Sequence, residues 1–245
     1  MEWSDEAIVL AVRAHGETSA IVETLTRAHG RHSGLVRGGV SRRARALLQP
    51  GNTLLAQWRA RLSEHLGNFT LDLAVARAGT MMDSRIALVG LNAFTGVASA
   101  ALPEREPHMS VFLAAEILLD AMMEEGFDHW APLYVRWEAG LLNELGFGLD
   151  LSRCAVTGNV DDLIYVSPRS GRAVSREAGE AYKSRLLALP PFLLGSQNAS
   201  PSAADIEAGL RLTEHFLVER VLRPHGREMP AARHRLYALA AHESE

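Results

Sequence analysis

The sequence predicts an α+β protein, and three observations carry that prediction. Short alternating apolar segments fill the first 80 residues, the apolar period turns helical from Asp83, and turn-rich hairpin chemistry interrupts the helices over residues 149–175. With 245 residues, 47% of them hydrophobic, the chain can bury a core as one large domain or two modest ones.

Residues 7–14 alternate, with Ile8, Leu10 and Val12 on one face, and Gly16-Glu17 supplies a turn before a second β-rich run over residues 19–27. His29-Gly30-Arg31 closes the next turn, and residues 33–37 return as a third strand that ends at Gly38-Gly39. Residues 41–48 form a short helix stopped by Pro50-Gly51. In residues 53–61, Leu54, Ala56, Trp58 and Ala60 share one face, while Leu55, Gln57, Arg59 and Arg61 share the other; Trp58 is therefore expected in the core. Residues 68–77 repeat the pattern with Phe69, Leu71, Leu73 and Val75. Five short strands with a helical turn between the third and fourth is the order of an OB-fold barrel, expected here over residues 1–80.

Residues 81–245 read as a mainly helical domain with a β-hairpin inserted at about 149–178. Ile86, Val89, Phe94 and Val97 follow helical spacing up to Pro103. A second helix from about Ser110 carries Phe112, Ala115, Leu119 and Met122 as far as Gly126, and a third has Pro132 in its first turn and runs through Trp137 and Leu141 to Gly146. The hairpin rests on Gly158-Asn159, the run 163–166 and the turn 167–171, with Asp161-Asp162 as turn residues rather than a catalytic pair. A helix is expected over residues 177–189 before Pro190-Pro191, then a loose segment at 196–201. Ser202 with Asp205 forms a capping box for a helix reaching Val221, and residues 231–242 form the last helix.

Composition narrows the function. The sole cysteine, Cys154, permits no intramolecular disulfide and no thiolate cluster, which fits a reducing, cytoplasmic setting. The acidic start and the lack of any apolar run near ~20 residues point to a protein with no membrane span. There is no phosphate-binding Walker loop, nucleophile elbow, metal-binding His-Glu-x-x-His helix or dinucleotide glycine pattern, so no enzyme, cofactor or metal is expected. His29 and His32 read as solvated turn histidines rather than half of a metal site.

Charge placement is the strongest functional signal. Between Glu23 and Glu64 lie eight arginines (Arg27, Arg31, Arg37, Arg42, Arg43, Arg45, Arg59 and Arg61) and no Asp or Glu, in a protein whose formal net charge is −4. Residues 1–80 sum to +3 and the remainder to −7. Arginine in place of lysine follows a compositional bias, since Lys183 is the only lysine; the placement carries the argument. An uncompensated guanidinium cluster is where a polyanion docks, because neutralised phosphates release counterions. Gly38-Gly39 ahead of Ser41, Arg42, Arg43 and Arg45 reads either as a loop whose backbone N–H groups meet a phosphate or as a flexible basic loop. Arg37, Gly38, Gly39, Arg42, Arg43 and Arg45 are the primary DNA-binding candidates, with Arg31, Arg59 and Arg61 in support. An acidic protein tail and RNA are the competing ligands.

The order of several stretches resembles one family over nearly the whole chain. They are Ala7-Ile8-Val9-Leu10, residues 16–19 before residues 25–30, Arg37-Gly38-Gly39 leading to Ser41-Arg42, residues 47–51, residues 142–147, Leu151-x-x-Cys154, and Val166-Ser167-Pro168-Arg169-x-Gly171. The family is RecO, the bacterial recombination mediators of DNA repair. The resemblance implies an N-terminal OB-fold, a helical C-terminal domain and no enzymatic turnover. It also implies binding and annealing of single-stranded DNA, binding of double-stranded DNA, loading of RecA together with RecR, and a nucleoid-associated location. The acidic tail of single-stranded-DNA-binding protein would dock on the helical domain, with Arg211, Arg220 and Arg223 as candidate contacts. Some relatives carry a four-cysteine zinc module in the hairpin; the matching positions here are Cys154, Thr157, Ser175 and Ala178, so no zinc is expected.

Overall fold

The computed structural model of the chain describes residues 1–124, 126–195 and 201–242. The fold is α+β, as the sequence predicts, and it forms two compact units, Met1–Met123 and Glu124–Glu245.

The first unit is built on a closed barrel in the order β1-β2-β3-β5-β4, with strands β1 (Glu2–His15), β2 (Ser19–Thr26), β3 (Gly30–Val36), β4 (Thr53–Arg59) and β5 (Asn68–Val75). All neighbours are antiparallel except at the seam, where Leu35 of β3 meets Asn68 of β5 in parallel. Ala7, Val9, Val22, Leu54, Ala56, Trp58, Phe69 and Leu71 fill the interior, together with Leu48 from the connection between β3 and β4. That connection carries the short helix α1 (Arg42–Leu47), capped by Ser41, whose Oγ accepts from Ala44 N at 3.3 Å. Gly51, at φ +88°, turns the chain into β4.

Two details depart from the alternation. Ala7, Ile8, Val9 and Leu10 are all buried, and Ile8 and Leu10 lie on a strand that α3 (Arg85–Ala101) packs against. A register shift between Val9 and Ala11 then leaves Val12 at 38% exposure, off the face that sequence alternation assigns it. A second irregularity, between Thr53 and Leu54, accompanies the exposure of Leu73 and Val75 on β5, where only Phe69 and Leu71 point inward.

A buried arginine at the start of α2 (Ala78–Met82) joins the barrel to α4 (Met109–Ala121). Arg77 donates from Nε to Asp120 at 2.6 Å and from Nη1 to Thr53 Oγ1 at 2.7 Å and Glu116 at 3.1 Å, while Asn52 Oδ1 accepts from the backbone N–H of Arg77 and Ala78. A buried guanidinium keeps its charge only with such partners.

The second unit packs α5 (Phe127–Glu144) on α7 (Ala203–Phe216), and α7 on α8 (Ala231–His242). A three-stranded sheet in the order β7-β6-β8 interrupts them, with β6 (Leu163–Val166), β7 (Ala173–Ser175) and β8 (Leu187–Ala188). Helix α5 begins at Phe127, so Pro132 lies inside it rather than in its first turn. The helix expected over 177–189 is replaced by α6 (Arg176–Gly179), a 3-10 stretch Glu180–Arg185 and β8. The cause is tertiary. Tyr165 and Val166 pair with Ala188 and Leu187, and a Cβ on Gly179 would meet the Tyr165 ring at 2.5 Å, so the sheet edge claims the segment. The Ser202/Asp205 capping box is present, and the helix continues past Phe216 as a π-helical turn over Leu217–Leu222. Most of the loose segment expected at 196–201 lies outside the described residues.

Hydrogen bonds surround the sulfur beside the hairpin. Cys154 is buried, and its Sγ accepts from Ser175 N at 3.3 Å and Ser175 Oγ at 3.4 Å. Burial pushes the thiol up, but these donors and Thr157 outweigh it and hold the pKa down to about 6. One thiol, two hydroxyls and the Ala178 methyl are not a zinc donor set.

The core of this unit holds a fully buried ion pair. Arg233 donates from Nε to Glu138 Oε1 at 2.7 Å and from Nη2 to Oε2 at 2.9 Å, and both side chains are fully buried. Tyr134 and Tyr237 lie against the guanidinium at 5.5 Å, and Thr213 donates to the same carboxylate. Removing one partner strands the other charge in the core. Glu138→Ala is expected to cost about 3–5 kcal/mol of unfolding free energy in urea titration, and adding Arg233→Leu to recover part of that cost.

Candidate nucleic-acid interface

The structure divides the acid-free arginines into two sets. Arg37, in the turn after β3, Arg42, Arg43 and Arg45 on α1, and Arg61, beyond β4, are exposed and make no salt bridge among the described residues. Arg27, Arg31 and Arg59 are engaged. Arg27 pairs with Glu6 at 2.9 Å, and Arg59 makes a two-point contact with Glu2 at 2.7 and 3.1 Å while staying 76% exposed.

Arg31 departs from the exposed position expected of a supporting phosphate contact. It is 8% exposed, donates to the Leu102 carbonyl at 2.9 Å and faces Glu23 at 3.2 Å and Glu104 at 3.5 Å. Its charge is used to fix the segment after α3 onto the barrel, and Arg105 N completes the link by donating to Arg31 O at 2.8 Å. Arg61 departs too: β4 ends at Arg59, so the two do not share a strand face.

The glycines have a geometric role in the turn. Gly38 adopts φ +69°, and a Cβ on Gly39 would meet Ala20 Cβ at 2.7 Å. The N–H groups of Gly39, Val40 and Ser41 are taken by Val36 O, Thr18 O and Gly38 O at 3.3, 3.2 and 3.0 Å. Those three amides are committed within the turn, and the Arg37, Arg42, Arg43 and Arg45 side chains stand exposed around it. Register brings the sets to one end of the barrel: Leu35 pairs with Asn68, Asn68 with Arg59, and Arg37 follows Leu35 by two residues. Two strand spacings, about 10 Å, separate Leu35 from Arg59.

Sequence reasoning missed an aromatic cluster on the same barrel. Trp3 stacks on His29, with centroids 4.2 Å apart and planes 7° from parallel, and also on Trp58 at 5.7 Å and 19°. His32 stands edge-on to Trp3 and Trp58 at 5.0 and 4.8 Å. His32 is 4% exposed, contrary to the solvated turn position expected, because β3 starts at Gly30 and turns this ring inward. Trp58 is in the core, as expected. The only sequence signal for the cluster is Trp3 and Trp58 at the ends of strands that pair, and that pairing is not visible in a linear pattern. Among the described residues, no group of three or more His, Cys, Asp or Glu side chains is placed to hold a metal.

In the second unit, Arg211 pairs with Glu207 at 2.6 Å and lines a groove of about 320 Å³ with Leu186, Leu187 and Ala208. Arg220 lies over Phe216 at 4.7 Å and donates to Arg169 O, and Arg223 pairs with Glu219 at 2.5 Å. The three do not converge on one pocket. Among the described residues no helix is long and apolar enough to cross a membrane.

A closed five-stranded barrel with a helix between its third and fourth strands is an OB-type domain, and here it carries free guanidinium groups beside that helix. Two family models cover the chain: the N-terminal model of recombination protein O matches residues 1–97, and the C-terminal model matches residues 82–228. The chain is 54% identical to the DNA repair protein RecO of Phenylobacterium zucineum over 95% of both chains. It is 52% identical to that of Rhodospirillum rubrum, over 96% of this chain and 94% of the relative, and 51% identical to that of Cereibacter sphaeroides strain KD131, over 98% and 99%. The chain belongs to the RecO family.

His32 gives the barrel a pH dependence. Burial first, then the charges of Arg105 and His29, lower its pKa to about 4, and the His29 backbone opposes this only weakly. The unfolded chain takes up that proton near the ordinary value of 6.5, so it binds more protons than the fold between about pH 6.5 and 4. This contribution to stability is complete above pH 6.5 and disappears as pH falls through that window. Melting followed by tryptophan fluorescence should show the first unit weakening on acidification, and His32→Phe should flatten that dependence.

Proposed function

We propose that this protein acts in DNA repair and recombination as a non-catalytic DNA-binding mediator. Arg37, Arg42, Arg43, Arg45 and Arg61 neutralise phosphates of single- and double-stranded DNA, and Arg59 joins them by exchanging Glu2 for a phosphate. The observation that carries this reading is five exposed guanidinium groups, without ion-pair partners among the described residues, on the OB-type barrel of a RecO-family chain. The mechanism is charge neutralisation and strand juxtaposition: two complementary strands held on one basic surface no longer feel the full mutual repulsion that opposes annealing. Relatives 54% and 52% identical to the chain are named as DNA repair proteins, which supports the same role.

Partners follow from the resemblance. The reading has the protein load RecA together with RecR at DNA in the nucleoid and take the acidic tail of single-stranded-DNA-binding protein on its helical unit. The groove beside Arg211 supports the last point through its apolar walls, with Arg211 exchanging Glu207, which also lines it, for a carboxylate of the tail. Arg220 and Arg223 are secondary contacts in this reading.

The test is charge reversal at side chains that hold no other part of the fold. Arg42→Glu with Arg43→Glu should abolish most DNA binding at physiological salt while leaving the melting transition unchanged. The salt slope should fall by roughly 0.7 for each phosphate of a single strand that is no longer neutralised. Unchanged affinity in a mobility shift over a salt series overturns the proposal.

A further inference from the structure

The mouth of the barrel holds a pocket of about 360 Å³ whose walls include Trp3, His29, His32, Trp58 and Arg105. Its size falls within the range of small-molecule sites, and four aromatic rings stand among its mainly apolar walls. Three features give it a ligand chemistry. First, Trp58, Trp3 and His29 already form a stack, and His29 remains 35% exposed at the edge of it. His29 is held in place by Asp5, whose Oδ2 lies 2.9 Å from its Nδ1. Second, the His32 ring is buried with neither nitrogen in a well-aligned hydrogen bond among the described residues, the His29 backbone making only a weak contact. A buried polar group without a partner is a standing cost that a ligand edge carrying donors and acceptors relieves. Third, the charge at the rim is positive. The Arg105 guanidinium donates to the Ser63 and His65 carbonyls rather than to a carboxylate, whereas Glu2 is already paired with Arg59.

A flat π-face, an edge with hydrogen-bonding groups and an attached anion together describe a nucleotide. We propose that this pocket holds one unstacked base of a bound single strand, extending the stack begun by Trp58, Trp3 and His29. The inference rests on the DNA-binding reading and deepens it: the arginines hold phosphates without regard to sequence, and the pocket adds a contact only an unpaired base can make. Double-stranded DNA, its bases stacked internally, gains nothing there, so the pocket would favour single strands over duplex at equal charge. An aromatic peptide side chain would stack but would leave the His32 nitrogens unpaired.

The experiment compares two labelled oligonucleotides of equal length and charge, one of thymidines and one of abasic sites, by fluorescence anisotropy on the full chain over a salt series. The expected result is affinity about tenfold lower for the abasic strand, with the same salt slope. His29→Ala should close that gap by weakening only thymidine binding, and His29→Phe, which keeps a stacking face, should restore it. Equal binding of both strands with a steep salt slope overturns the pocket and leaves the phosphate reading intact. Absence of binding to either strand at low salt overturns both. A gap that persists in a folded His29→Ala protein, or an aromatic peptide that displaces the thymidine strand more effectively than free thymidine does, also overturns it.

Discussion

Closure of the barrel depends on a single seam, where β3 reaches β5 through Leu35 and Asn68. A five-stranded sheet closes only if its interior is filled without forcing the strands apart, and two glycines make that possible. A Cβ on Gly34 would meet the Phe69 ring at 2.4 Å, and one on Gly67, at φ +68°, would meet Trp58 Nε1 at 2.4 Å. Trp58 in turn donates to Leu66 O at 2.9 Å, satisfying the one polar atom its side chain brings inside. With these rings set in the seam, Trp3 has a surface to stack on, and His29 has Trp3. The aromatic mouth is therefore a consequence of how the barrel closes.

Buried ions then fix what the apolar core leaves free. Apolar packing tolerates small shifts, whereas a guanidinium with several directed bonds accepts one arrangement. Arg77 locks the start of β4 to α4, and Arg31 locks β3 to the segment after α3. Arg233 does the same for α5, α7 and α8. Such pairs add little net stability over a hydrophobic replacement, because desolvation offsets their attraction. Their contribution is registry: each holds two elements at one distance, and thereby holds the surface groups those elements carry.

Local information sufficed for much of this architecture. The alternation in β4, the Ser41 cap, the Ser202/Asp205 box and the final helix are written in spacings of a few residues. What failed did so where a distant partner decided. The segment after Gly179 has helical composition, but β6 offers it an edge, and the edge prevails. His32 looks like a turn residue because Gly30 precedes it, yet its surroundings come from β1, β4 and β5. The basic stretch was legible as a stretch; the aromatic cluster was not, since its members come from positions 3, 29, 32 and 58.

Arginine shows the limit most clearly, because one residue type performs opposite tasks here. Arg31 and Arg42 are indistinguishable in a charge count, but one is 8% exposed among carboxylates and the other stands in solvent on α1. A net +3 over residues 1–80 is therefore a poor measure of the field a polyanion meets. Arg31 and Arg77 are cancelled at short range by their own partners, and so are the acids that pair with them. What remains at the surface, among the described residues, is the set without such partners: Arg13 on β1, and the arginines of the turn after β3, of α1 and beyond β4. A guanidinium already paired with a carboxylate must give up that partner before it can replace the counterions of a phosphate, so the unpaired remainder would act first. The basic character of this barrel resides in the difference between its arginines and their internal obligations, and only the fold reveals that difference.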